Sequence, residues 1–292
     1  MGDEEAWEKP GMTEAWSYKR FGQSAESKAY REIMRKFMDA GEDAICCNKE
    51  ACKKFLDKNG FRTPKTYHII DTHPVDPQIL FQVPSRFVLK PHNLWNGQGV
   101  LIIERCGERF VEPDGREHSA AELIATLGQP SPGKFFIIEE RIAPHKDIAR
   151  LSPYGTLSDF RICFVNRRLL IASIRIPTQA SRGYGNVHNG AFQVSVDSNG
   201  VITQVPYTLN QCTVHPDSGV DLHGTQIPKW GEVFREVSAI PPLFKSHFIS
   251  VDGCIGEDGR FVVIELTLLP FLYWLSSAGF QRIMQLNEAS KS

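Results

Sequence analysis

A lysine that closes an apolar run and is followed by a glycine-bearing loop suits phosphate. The segment Val88-Leu89-Lys90-Pro91-His92-Asn93-Leu94-Trp95-Asn96-Gly97-Gln98-Gly99-Val100 has that order. Glycines let backbone N–H groups approach phosphate oxygens, and a nearby ammonium offsets their charge. The lysine precedes the glycines, so this is not the G-x-x-x-x-G-K-[ST] loop, and a plain hairpin with a surface lysine is the alternative. A second set is acidic. Phe136-Ile137-Ile138-Glu139-Glu140-Arg141-Ile142 ends an apolar strand on two carboxylates, and Val251-Asp252-Gly253 and Ile264-Glu265-Leu266-Thr267 put Asp252 and Glu265 on adjacent strands of an expected hairpin. Carboxylates in apolar surroundings are costly unless paired or holding a cation. Paired oxygens suit Mg²⁺, which takes carboxylates together with phosphate and water; for Glu265 alone a salt-bridged core carboxylate is an equal reading. The third set is basic: Arg161, Arg175 and Arg182 lie on or after apolar strands, before the polar loop Gly185-Asn186-Val187-His188-Asn189-Gly190. Guanidinium groups facing a cleft suit bidentate recognition of carboxylate or phosphate, although each arginine taken singly reads first as a surface ion pair. His188, His215 and His223 have no spacing that favours a metal.

The elements that must hold these residues read as α+β. Tyr30, Ile33, Met34, Phe37 and Met38 recur at helical spacing, which predicts one helix over 25–40 ended by Gly41. A second is expected over 48–58, with Asn48 as N-cap and Gly60 as stop. Strands are expected over 66–70, 86–90, 99–103, 109–112, 135–138, 160–165, 169–176, 192–196, 201–204, 248–255 and 260–266, with helices over 120–127 and 230–240. Turns at Asn166-Arg167, Asp197-Ser198-Asn199-Gly200 and Glu257-Asp258-Gly259 join neighbouring strands, so two mostly antiparallel layers are expected. The Pro- and Gly-rich stretch 128–133 marks a boundary. The organisation expected is an N-terminal arm with one helix over 1–44, a small lobe over 45–133 and a large lobe over 134–292.

Composition bounds the function. The chain has 292 residues, 33 Lys+Arg and 34 Asp+Glu, for a formal charge of -1. No basic excess exists to hold a polyanion, which argues against a general nucleic-acid binder. The start, Met1-Gly2-Asp3-Glu4-Glu5, is acidic where a signal peptide is basic, and Cys46, Cys47, Cys52, Cys106, Cys163, Cys212 and Cys254 are odd in number and lack zinc-site spacing. Reduced thiols in a cytoplasmic protein are the expectation. The apolar stretch 261–280 contains Glu265 and Pro270, so it reads as a buried strand and a following turn or helix, not as a membrane span.

Taken in order, these segments resemble the ATP-grasp superfamily, and within it the α-L-glutamate ligase-like, sugar-transfer-associated group. The likeness runs from about Ala44 to Pro270: Asn48-Lys49 before a helix, Arg62-Thr63-Pro64, Lys90-Pro91 with the 96–99 loop, Ile138-Glu139-Glu140-Arg141-Ile142, Pro144-His145-Lys146-Asp147, Asp159-Phe160-Arg161, Arg175-Ile176-Pro177, Asn186-Val187-His188-Asn189-Gly190, His215-Pro216-Asp217-Ser218-Gly219, Gly224 to Trp230, Ser250-Val251-Asp252 and Ile264-Glu265. The resemblance implies two α+β lobes around ATP and Mg²⁺, and a carboxylate activated as an acyl phosphate before a nucleophile displaces phosphate. It implies that Lys49 and Lys90 bind the α and β phosphates while Asn96, Gly97, Gln98 and Gly99 close over the γ-phosphate. Glu139, with backbone groups of Glu140, Arg141 and Ile142, would read adenine, and Asp147 the ribose. Asp252 and Glu265 would hold Mg²⁺, Arg161 and Arg175 the substrate carboxylate or acyl phosphate, and Asn186 and His188 the acceptor side. The group's last metal motif is Glu-x-Asn, and here it is Glu265-Leu266-Thr267. Too few residues precede Lys49 for the usual N-terminal α/β domain, so a second subunit, in a homodimer, is expected to complete the acceptor side. Partners are then a small carboxylate and an amine or other nucleophile. A phosphotransferase that stops at a phosphorylated product, and a nucleotide-binding protein without chemistry, stay open.

Overall fold

Asp39 has an extended backbone, and its carboxylate accepts the N–H groups of Gly41 and Glu42, which starts a helix where the sequence suggested a stop. The single helix expected over 25–40 is therefore two: α1 (Ala25–Lys36) and α2 (Ala40–Cys47). Asn48 caps α3 (Lys49–Lys58) as its position predicts, accepting from Glu50 and Ala51. The computed structural model describes residues 25–71, 74–92, 99–127, 135–203, 213–268, 283 and 285.

The first sheet contains β1 (Thr66–Ile70), β2 (Arg86–Pro91), β3 (Leu101–Cys106), β4 (Arg109–Val111), β5 (Glu117–His118) and β6 (Phe136–Glu140). Its order is β1-β6-β2-β3-β4-β5, antiparallel throughout. The strand β6 lies past position 133 yet inserts between β1 and β2, bringing Glu139 opposite Val88. Helix α4 (Ala120–Ala125), fixed by a reciprocal Ser119–Glu122 capping box, adds Leu123 to a core of Phe87, Leu89, Ile103, Phe110 and Ile138.

After the short helix α5 (Lys146–Ala149) comes the second sheet: β7 (Asp159–Val165), β8 (Arg168–Ile176), β9 (Phe192–Val196), β10 (Ile202–Thr203), β11 (Phe248–Ile255) and β12 (Phe261–Thr267). Its order is β10-β9-β8-β7-β11-β12, again antiparallel. Asn166 and Arg167, both at positive φ, make the tight turn between β7 and β8. Helix α6 (Trp230–Ser238) packs Trp230, Val233 and Val237 into a core with Phe160, Phe164, Val251 and Phe261.

Helices α2 and α3 join this second core through Cys46, Cys52 and Leu56. Helix α3 thus leans on the second sheet while its other face meets the first. Two α+β lobes with antiparallel sheets are the fold that the sequence pattern implied. No helix among the described residues is long and apolar enough to cross a membrane. The apolar stretch beginning at Phe261 opens as β12, and residues 269–280 lie outside the described residues.

Candidate active site

A cavity of about 590 Å³ is walled by strands of both sheets, a volume suited to a nucleotide-sized ligand. Its wall includes Lys49, Lys90, Glu139, Glu140, Arg141, Ile142, Arg161, Arg175, Asn186, Asp252, Glu265 and Thr267, so twelve sequence-read candidates from eight separate stretches converge. Asp147 is not on this wall; it pairs with Arg150 one turn along α5. Gly99 is a positive-φ residue beside the wall residue Val100, while Asn96, Gly97 and Gln98 lie outside the described residues. His188 lies in the 3₁₀ turn Val187–Asn189, whose Val187 and Asn189 line the cavity.

Three lysines gather at one carboxylate. Lys90, at the end of β2, lies 2.5 Å from Glu139, whose other oxygen pairs with Lys53 of α3. One helical turn earlier, Lys49 donates to the His92 carbonyl at 3.1 Å. Burial lowers the Lys49 and Lys53 ammonium pKa values. Burial also pushes the Glu139 carboxyl up, but the Lys90 and Lys53 charges outweigh it and hold the group ionised. Glu265 also acts on Lys49, so Lys49, Lys53 and Lys90 outnumber the two carboxylates Glu139 and Glu265 by one positive charge, which a bound polyanion would offset.

A second cluster sits on the other sheet. Arg161 on β7 donates to both oxygens of Asp252 on β11 (2.8 and 2.6 Å), a bidentate pair across directly paired strands. Arg175 on β8 reaches the same carboxylate at 3.0 Å and also clasps Asp159, its register partner on β7. Burial alone would raise the Asp252 carboxyl; the two guanidinium groups outweigh it and depress it. Asp159 behaves oppositely: burial wins over Arg175 and lifts it to about 6. Asp252 pairs in register with Glu265 on β12, and a β-bulge follows at Gly253. Bulges next to sites re-aim side chains, and this one separates the Asp252 pairing from the rest of the hairpin.

Among the described residues no group of three His, Cys, Asp or Glu side chains is arranged to hold a metal. The donor set still suits Mg²⁺ held largely by phosphate and water: Glu265 is a half-buried carboxylate on the wall, with the Thr267 hydroxyl two residues on along the same strand. Asp252 would join only by sharing its oxygens with the arginines.

Residues 30–278 match the model of the family described as sugar-transfer associated ATP-grasp. The chain belongs to that family. No curated protein matches it. Among solved structures, D-alanine–D-alanine ligase from Bacillus anthracis complexed with ATP is 15% identical, with a TM-score of 0.49 over 83% of this chain and 64% of that one. The RiPP-associated ATP-grasp ligase of Chryseobacterium gregarium, in complex with ADP and a leader and core peptide, is 12% identical, with a TM-score of 0.49 over 92% and 70%. L-amino acid ligase from Bacillus licheniformis is 16% identical, with a TM-score of 0.41 over 76% and 43%. The chain spans less than two thirds of the first of these, and membership rests on the family match.

Two positions in this ATP-grasp chain receive no role from the motifs. Lys53 sits one turn from Lys49, a spacing visible in the sequence, but its partner Glu139 comes from a strand 86 residues away. Asp159 alternates with Arg161 on β7 and anchors Arg175; the alternation was visible, the pairing was not.

Proposed function

We propose that the chain is an ATP-dependent ligase that joins a carboxylate to an amine, or to another nucleophile, through an acyl phosphate. The observation that carries this reading is a single cavity whose wall brings Lys49 and Lys90 beside Glu139 and a preset guanidinium pair to Asp252.

Lys49 and Lys90 hold the nucleotide phosphates, and Glu139, shared with Lys53, keeps the ammonium of Lys90 where phosphate arrives. Backbone groups of Glu140, Arg141 and Ile142 read adenine, and the 96–99 loop covers the γ-phosphate. Arg161 and Arg175 bind the substrate carboxylate. A carboxylate oxygen attacks the γ-phosphorus, the bond from that phosphorus to the β–γ bridging oxygen breaks, and ADP leaves. The nucleophile then attacks the acyl carbon; phosphate departs with the electron pair, and the surplus amine proton passes to phosphate or water. Because Asp252 and Asp159 already orient the guanidinium groups, little reorganisation is needed as charge builds on the phosphoryl and tetrahedral oxygens. Glu265 and Thr267, with Asp252, would hold Mg²⁺, which when bound neutralises charge on the phosphate oxygens. Asn186 and His188 serve the acceptor side. Free thiols at Cys46, Cys47, Cys52, Cys106, Cys163 and Cys254 support a reducing, cytoplasmic setting.

The test combines ATP, Mg²⁺ and hydroxylamine with a panel of amino acids and other carboxylates, scoring ADP and hydroxamate together. Hydroxamate with one carboxylate is the expected result. ADP with a phosphorylated product and no hydroxamate would replace the ligase by a phosphotransferase. Nucleotide binding with no ADP across the panel would favour a binding protein, the reading that Thr267 and the arginine-filled Asp252 support.

A further inference from the structure

Outside the nucleotide and carboxylate clusters, one buried acid joins the two lobes. Glu112, just after β4 in the first sheet, is 4% exposed and has four side-chain partners among the described residues. His118 lies at 2.8 Å and Arg116 at 3.5 Å from its own lobe. Tyr184 donates its hydroxyl at 2.8 Å and Arg182 lies at 3.3 Å, both from the loop that connects β8 to β9 in the second sheet. Arg182 also donates to Asp114 at 2.7 Å, and the Tyr184 oxygen accepts the Ile102 N–H at 3.3 Å. The loop crosses from one lobe to the other and is bonded there to both side chain and backbone.

We propose that Glu112, Arg182 and Tyr184 form an inter-lobe latch that positions the loop 178–190, and through it Arg175, for the carboxylate substrate. Three observations support it. The loop base is fixed to its own lobe: His215, fully buried, bonds the Pro177 carbonyl at 3.0 Å, and Thr178 bonds the Gly190 carbonyl at 2.7 Å. The tip is held in a constrained form, with Arg182 at φ 57 and Gly183 at φ 81, and a Cβ at Gly183 would come within 2.8 Å of the Pro113 Cβ across the lobes. Immediately after Tyr184, Gly185 packs so tightly that a Cβ there would approach Asp159 Oδ1 to 2.8 Å, and Asp159 is the carboxylate that clasps Arg175. A fixed base and a tip tied to the other lobe make the loop respond to the distance between lobes. Burial and the Glu112 charge beside it raise the Tyr184 phenol pKa, so the hydroxyl stays a donor to Glu112. Glu112 itself does not line the cavity and acts as a positioning residue.

The kinetic half of this proposal rests on the ligase reading; the structural half does not, so the test has two arms. The first is hydrogen exchange on the full-length chain, comparing wild type with Glu112→Gln and Tyr184→Phe. The Ile102 amide reports the latch directly, because its hydrogen bond crosses to Tyr184. At least tenfold faster exchange at Ile102 and across 178–190 is expected in both variants, with β11 and β12 unchanged. Exchange that stays at the wild-type rate overturns the latch whatever the kinetics show. The second arm measures steady-state turnover. The KM for the carboxylate should rise about tenfold and hydroxamate per ADP should fall, with the KM for ATP within twofold of wild type. Faster exchange with unchanged carboxylate KM and unchanged coupling would reduce the contact to a structural brace and overturn its positioning role. Should wild type show no turnover, the ligase reading fails while exchange still decides the latch: a nucleotide that slows exchange at Ile102 in wild type but not in Tyr184→Phe supports it, and equal slowing in both overturns it.

Discussion

Lys90 and Lys53 divide one buried carboxylate between them, so Glu139 anchors the cations and leaves them an excess of charge to offer. Removing Lys90 takes away preorganised charge and leaves Glu139 with only one partner. Lys90→Ala and Glu265→Ala are each expected to cut ATP turnover by at least about a hundredfold, read as initial rates of ADP release at saturating ATP; near-wild-type rates would remove those residues from the site. The two aspartates at the arginine pair predict a pH dependence. Asp252 is depressed by its guanidinium partners, so it stays ionised, and its stabilising contribution is lost only as pH falls below the ordinary carboxylate range. Asp159 is raised to about 6, so its contribution has the reverse sign: it is full in acid and lost as pH rises through that value. Catalysis needs the ionised form, because only a carboxylate can clasp Arg175. An acidic limb in kcat/KM centred at about 6 is expected. Asp159→Asn should flatten that limb at a lower plateau, and a limb that persists in the variant would assign it to another group.

At the scale of elements, the hairpin of β11 and β12 carries the most constraint. Gly253 follows Asp252 at the bulge, and a Cβ there would lie within 2.5 Å of the Val262 carbonyl oxygen and against the Phe261 ring. Glycine is required by close approach, not by its φ. Gly253→Ala is expected to cost about 2 kcal/mol through overpacking, and it should reduce turnover further by shifting Asp252 against Arg161; chemical denaturation and ADP release measure the two effects separately. Much of this architecture was legible. Apolar runs marked β7, β8, β11 and β12, and Asn48 announced the start of α3, because these signals are local. The two helices around Asp39 were not legible, since Gly41 reads as a stop unless the Asp39 side chain is known to cap the next turn. The insertion of β6 between β1 and β2 was equally hidden: an apolar run does not name its neighbours. The candidate site followed the same rule. Lys90, Glu139, Arg161, Arg175, Asp252 and Glu265 stand out by residue type within apolar strands, whereas the partners Lys53 and Asp159 depend on strand order and register.

At the scale of the molecule, the described residues form separate apolar cores, with Phe87, Leu89 and Phe110 in one lobe and Phe160, Phe164, Trp230 and Phe261 in the other. Contacts between lobes include many polar ones: Lys53 with Glu139, Arg182 with Asp114 and Tyr184 with Glu112. Polar bonds of this kind contribute about 1 kcal/mol each and give less cooperativity than a shared core. Without nucleotide, calorimetry should therefore resolve two unfolding transitions, the smaller core melting first. A nucleotide bridging both walls ties the transitions together, because it is released when either lobe unfolds. At a hundred times its Kd it adds about 2.7 kcal/mol, enough to raise the first transition by roughly 10–20 °C and merge it with the second. A non-hydrolysable ATP analogue with Mg²⁺ keeps the measurement free of turnover. If the protein alone already melts in one transition, with calorimetric and van't Hoff enthalpies equal, the lobes form one cooperative unit, and the charged contacts at Glu139 and Glu112 are stronger couplers than their chemistry implies. Two transitions that the analogue leaves apart would mean that it binds one wall only, and the cavity could then not hold ATP across both lobes.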